Sequence, residues 1–83
     1  MKIFKLDERF SVICDWKRTR NGFKHEATLC SNGSAVVTVK CCYLNRTWEA
    51  YEYESVLRKL IGQQFEGAEQ AKYLEAVKYE NIN

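Results

Sequence analysis

The sequence predicts an α+β fold: a three-stranded antiparallel β-meander over about residues 9–44, followed by two C-terminal helices packed on one sheet face. Three observations lead there. Two Asn-Gly dipeptides, Asn21-Gly22 and Asn32-Gly33, stand eleven residues apart, which leaves room for one strand between two tight turns. Apolar and polar residues alternate on both sides of each dipeptide. Past about residue 54 the apolar spacing changes from two to between three and four. The 83 residues make one domain, 1–83. A core of this size supplies a surplus of only about 3–5 kcal/mol, so each large ring matters to folding.

The elements follow in chain order. In the first strand Phe10, Val12, Cys14 and Trp16 fall on one face, with Ser11, Asp15 and Lys17 on the other. Asn21-Gly22 turns the chain, since both residues accept the positive φ of a type I′ turn. The second strand sets Phe23, His25, Ala27 and Leu29 against Lys24, Glu26 and Thr28. After Asn32-Gly33, the third sets Ala35, Val37, Val39, Cys41 and Tyr43 against Val36, Thr38, Lys40 and Cys42. One face is apolar and the other largely polar, the pattern of a sheet covered on one side. A link spans 45–53. The first helix, about 54–63, carries Tyr53, Val56, Leu57, Leu60 and Ile61 on one stripe, with Ser55 near its start and Gly62 near its end. The second, about 66–79, puts Phe65, Ala68, Ala71, Leu74 and Val77 on a stripe and Glu69, Lys72, Glu75 and Lys78 outside.

Composition narrows the function. Residues 1–40 hold eight Lys/Arg against four Asp/Glu, and residues 41–83 hold five against seven, so the halves carry +4 and −2. That imbalance suits an anionic partner for the first half, yet falls short of the basic excess of most nucleic-acid binders. The first thirteen residues alternate charge with hydrophobe and lack the apolar run of an export signal. The four cysteines, Cys14, Cys30, Cys41 and Cys42, are therefore expected to be reduced and buried in a cytoplasmic protein. No apolar stretch approaches the ~20 residues of a membrane span. Cys41 and Cys42 point to opposite faces of a strand, no CxxC pair exists and the sole histidine is His25, so no metal site is assigned. His25 shares a strand face with Phe23 and Ala27 and reads as a core histidine rather than a base. No acid–base pair, phosphate loop or nucleophile elbow is legible, so no catalytic residue and no cofactor are assigned.

Two constellations point to binding. Lys17, Arg18, Arg20 and Lys24 gather around the Asn21-Gly22 turn between Trp16 and Phe23. A two-stranded ribbon carrying arginines can grip phosphates or enter a major groove. The stretch "CYLNRTWEAYEYESVL" joins sheet to helix and holds Tyr43, Arg46, Trp48 and Tyr51. Trp, Tyr and Arg are the residues enriched at binding hot spots, although the same rings could simply close the corner between sheet and helix.

"TRNGFKHEATL" followed by "CYLNRTWEAYEYESVL" resembles small proteins carried by bacteriophages and mobile elements, chiefly of Gram-positive bacteria. The likeness covers about residues 18–60, and the run from Tyr43 to Glu49 is its most specific part. No activity is assigned to that group, so the resemblance gives no residue a catalytic role. It implies a phage setting, in which small accessory proteins bind host or defence machinery, inhibitors of CRISPR nucleases among them. The net charge of +2 departs from strongly acidic DNA-mimicking inhibitors.

The expectation is a non-enzymatic protein, cytoplasmic in a bacterial host, that modulates host or defence machinery through Tyr43, Arg46, Trp48 and Tyr51. Two alternatives stay open. One is a nucleic-acid-binding accessory protein using Lys17, Arg18, Arg20 and Lys24. The other is a homodimer in which the junction aromatics meet their symmetry mates.

Overall fold

The computed structural model describes residues 1–43 and 50–78. Its sheet has four antiparallel strands in sequential order, β1 (Lys2–Lys5), β2 (Phe10–Thr19), β3 (Gly22–Ser31) and β4 (Ser34–Tyr43). Helices α1 (Ala50–Gln64) and α2 (Gly67–Ala76) follow. The α+β class, the meander and the two C-terminal helices agree with the sequence reading, but the sheet has a fourth strand.

That extra strand is β1, which pairs Lys2 with Cys14 through Lys5 with Ser11. Four residues, KIFK, give too short an alternation to stand out, yet each face is used. Phe4 packs against the core, and its ring lies 5.7 Å from that of Tyr53. The Lys2 ammonium sits 5.1 Å from both ring centroids, a favourable place for a cation over a π face. The turn into β2 contains neither Gly nor Pro. The Asp7 carboxylate makes it instead, accepting from the backbone N–H groups of Arg9 and Phe10, both at 2.8 Å. An aspartate that bonds the backbone two residues on replaces a backbone turn.

Asn32 and Gly33 have φ of +51° and +85°, the left-handed pair that a type I′ turn requires. The other turn is displaced by one residue from its expected place. Thr19 pairs with Gly22, so Arg20 and Asn21 form the turn and Gly22 opens β3. Side-chain pairing outweighs turn preference here, because this register sets Trp16 across from His25. Their rings stack at 4.6 Å with an interplanar angle of 13°.

A bulge interrupts the β3–β4 ladder. Leu29 pairs with Val37 and Cys30 with Ala35, which leaves Val36 as the extra residue. The insertion reverses the alternation beyond it. Ala35 therefore follows Cys30 and is exposed, not inward as expected, while Val39 keeps its place in the core.

The helices cover one face. Val56, Leu57, Leu60 and Ile61 of α1 are fully buried against Val12, Cys14, Ala27 and Leu29 of the sheet. Burying a Leu or Ile side chain contributes about 1.5–3 kcal/mol, so this quartet is the main clamp between layers. α1 begins at Ala50, one turn before the expected start at Glu54, and Ser55 is an exposed interior residue. The added turn brings Tyr53 onto His25, with ring centroids 4.9 Å apart. Lys59 also donates to the Lys40 carbonyl at 2.9 Å, tying α1 to the β4 edge. Gly62 does not end the helix. It lies on the exposed side with open space where a Cβ would stand, and its cost there is about 1 kcal/mol.

α2 is rotated from the predicted stripe. Tyr73 and Val77 are buried and Leu74 is half-buried, whereas Ala68 and Ala71 face out. An aromatic ring offers far more burial than two methyl groups. Tyr73 packs edge-on to Phe65 at 4.7 Å and to Phe10 at 6.2 Å. Gln70 fastens the bend before it by donating to the carbonyls of Phe65 at 2.7 Å and Gly62 at 3.2 Å.

Candidate interaction surfaces

Three regions bear on binding. The first is the junction between β4 and α1. Arg46 and Trp48 lie outside the described residues, as do the side chains of Tyr43 and Tyr51, so the junction constellation is not placed as a unit. Tyr43 ends β4, and Tyr51 falls in the first turn of α1. Beside them the structure shows a ring cluster that the sequence did not reveal. His25, with no exposed surface, is stacked on Trp16 and met edge-on by Tyr53. This places His25 in the core. Tyr53 reaches the cluster because α1 starts early, and a helix start is a weak signal in the sequence.

The second region is the basic hairpin, whose four cations do not form one patch. Lys17 and Lys24 are cross-strand partners on the face away from the helices. Both reach Glu26, at 3.1 Å and 3.8 Å. The Glu26 carboxyl is held below the usual carboxylate range, mainly by the Lys17 hydrogen bond and further by the positive charge of Lys17, Lys24 and Lys40. Much of the lysine charge is thus answered inside the protein. Arg18 pairs with Phe23 and belongs to the other face, and Arg20 sits in the turn. Both arginines are exposed, and among the described residues neither enters an ion pair. Alternation along β2 divides Lys17 from Arg18, a consequence legible in the sequence once the strand is placed.

The third region is the sheet face that neither helix covers. Its cross-strand rows read Ile3, Ile13, Thr28, Thr38, then Asp15, Glu26, Lys40, then Lys17, Lys24, Cys42. Ile3 is 60% exposed and Val36 57%, and the hydroxyls of Thr28 and Thr38 bond at 2.8 Å. An apolar and threonine band flanked by charges of both signs is the composition of a contact surface with a polar rim. The sequence showed the Thr and Lys rows. Ile3 was missed along with β1.

The thiols divide by burial. Cys14 and Cys30 are buried, Cys41 is half-buried and Cys42 is exposed, so the expectation that all four are buried fails at β4. There the strand runs along the sheet edge and its last residues alternate between core and solvent. Burial pushes the Cys14 thiol up to about 12, which keeps it protonated and inert. Among the described residues no three His, Cys, Asp or Glu side chains come together to hold a metal ion. No described helix is long and apolar enough to cross a membrane. No family model, curated protein or solved structure matches the chain.

Proposed function

We propose that the chain is a small non-enzymatic binding protein, of the phage accessory kind its sequence resembles, that acts by contact with a host or defence protein. The observation that carries this reading is the uncovered sheet face, where Ile3 stands exposed in one row with Ile13 and the threonine pair, while Val36 is exposed at the β4 bulge. A domain of this size gains by burying apolar groups, and leaving two large ones outward favours a partner surface. The test is affinity capture from the bacterial host with the wild-type chain and with Ile3→Glu/Val36→Glu. A discrete partner retained by wild type and lost by the folded double variant supports the reading. Equal capture by both chains removes the open face from the interface.

The nucleic-acid reading has the exposed Arg18 and Arg20 in its favour, but the sharing of Glu26 by Lys17 and Lys24 counts against it. Two free cations neutralise about two phosphates, and affinity then falls only about tenfold between 50 and 200 mM salt. A tight binder making six to ten phosphate contacts would lose about 10³–10⁵ over the same range. Anisotropy of labelled single- and double-stranded DNA at both salts decides. A steep slope would put nucleic acid ahead of protein.

A further inference from the structure

The strand register builds the uncovered sheet face in rows. Its central row is Ile3, Ile13, Thr28 and Thr38, with Lys5 and Ser11 on one side and Asp15, Glu26 and Lys40 on the other. Two charges in these flanking rows are poorly answered within the chain. Lys5 is exposed and enters no ion pair among the described residues. Asp15 stands directly across from Glu26, and like charges in that position cost stability. Glu26 has Lys17 and Lys24 at 3.1 Å and 3.8 Å. Asp15 has the Met1 ammonium at 3.9 Å, with the two groups 44% and 60% exposed, so solvent screens the pair. A spare cation therefore lies one row from the apolar centre, and a spare anion lies one row away on the opposite side.

We infer that a second copy of this chain covers the open face, the two sheets stacked about a two-fold axis along the row Ile3, Ile13, Thr28, Thr38. This rests on the reading of that face as a contact surface, and it names what occupies the face until a host or defence protein displaces it. The charges select the axis. A two-fold axis running across the strands lays each flanking row on the opposite flank of the second copy. Lys5 and Ser11 then come opposite Asp15 of the second copy, and symmetry makes the contact twice. An axis along the strands would instead set Asp15 on Glu26 and Lys17 on Lys24, like charge on like. At the centre Ile3 and Ile13 meet their own counterparts, across a gap of about 10 Å between stacked sheets. At the ends Lys17 comes near Arg9 of the second copy, but each already has a carboxylate, Glu26 at 3.1 Å and Glu69 at 3.6 Å. Strands about 4.8 Å apart with a rise of about 3.3 Å per residue give the face roughly 500 Å² in each copy. That is the small end of specific interfaces, and it suits micromolar association that a partner can displace.

Analytical ultracentrifugation of the full chain, from low to high micromolar concentration, is the test. The expected result is a monomer that passes into a dimer across that range. Ile3→Glu, at an exposed position, weakens dimerisation at least tenfold. Lys5→Glu and Asp15→Lys, both checked for folding by circular dichroism, each sediment as monomers where the wild type is dimeric. Mixed in equal amounts, these two variants form a dimer again. In the mixed pair the introduced glutamate faces the introduced lysine, and the native Lys5 faces the native Asp15. Within one chain the two positions are about 13 Å apart along the sheet, so the rescue reports a contact between copies. A wild-type chain that stays monomeric throughout overturns the inference. So does a dimer indifferent to Ile3→Glu, or a mixture of the charge variants that stays monomeric. The partner reading fails by a different result, equal capture of a host protein by wild type and Ile3→Glu/Val36→Glu, so the two failures are distinguishable.

Discussion

Leu60→Ala tests the layer arrangement on which every surface assignment depends. Leu60 has no exposed surface and lies in the α1 quartet clamped on the sheet. Removing its isobutyl group costs the transfer free energy plus a cavity term, about 3 kcal/mol within a range of 2–5. A chain of 83 residues has a total stability of about 4–12 kcal/mol, so the variant loses a quarter or more of it. Unfolding entropy of about 2.1 cal/mol/K per residue makes 1 kcal/mol worth about 6 °C here. The expected fall in Tm is about 15–20 °C, read by far-UV circular dichroism or calorimetry. Val36→Thr is the matched control, a β-branched exchange at a 57% exposed site in the β4 bulge, expected to move Tm by less than about 3 °C. A Leu60→Ala shift under about 5 °C, or a Val36→Thr shift as large, would mean that the helices do not cover the face assigned to them.

Other outcomes follow from single contacts. Asp7 is lowered from 3.8 to about 2, first by the hydrogen bond that Tyr73 donates and then by the Phe10 N–H. A carboxyl depressed by folding stabilises above its unfolded pKa and ceases to do so as pH falls through the folded one. Acid titration followed by circular dichroism should therefore show a loss of stability between about pH 4 and pH 2 that is smaller in Asp7→Asn. Tyr73 is raised by the same bond, so its share of stability is present below pH 10 and is lost at higher pH. Tyr73→Phe should narrow the acid window and abolish the alkaline one while leaving the fold intact. Alkylation of the native protein should label Cys42 first and leave Cys14 untouched until denaturant is added, as mass spectrometry of the labelled peptides would show. Glu26→Gln releases Lys17 and Lys24 from their shared partner. It should steepen the salt dependence of any DNA binding, by about one phosphate per freed lysine. An unchanged slope would mean the lysines face away from nucleic acid.

The sequence by itself determined the class of this fold, because the evidence for it is local. Alternation over residues 10–43, an Asn-Gly pair with the conformational freedom for a tight turn, and the Val56, Leu57, Leu60, Ile61 stripe each act within a few residues, and each appears in the structure. Tertiary contacts decided the rest. KIFK becomes β1 because β2 offers it a ladder and the core takes Phe4. α1 extends back to Ala50, where Tyr53 can reach His25. Tyr73, not Ala68 or Ala71, turns inward, since Phe10, Phe65 and the Asp7 turn converge on it from distant parts of the chain. The candidate surfaces divide in the same way. Four neighbouring cations in the sequence suggested one patch. Strand alternation set Lys17 and Lys24 beside Glu26 and left Arg18 on the other face, because a strand separates adjacent side chains and a sheet joins residues from different strands.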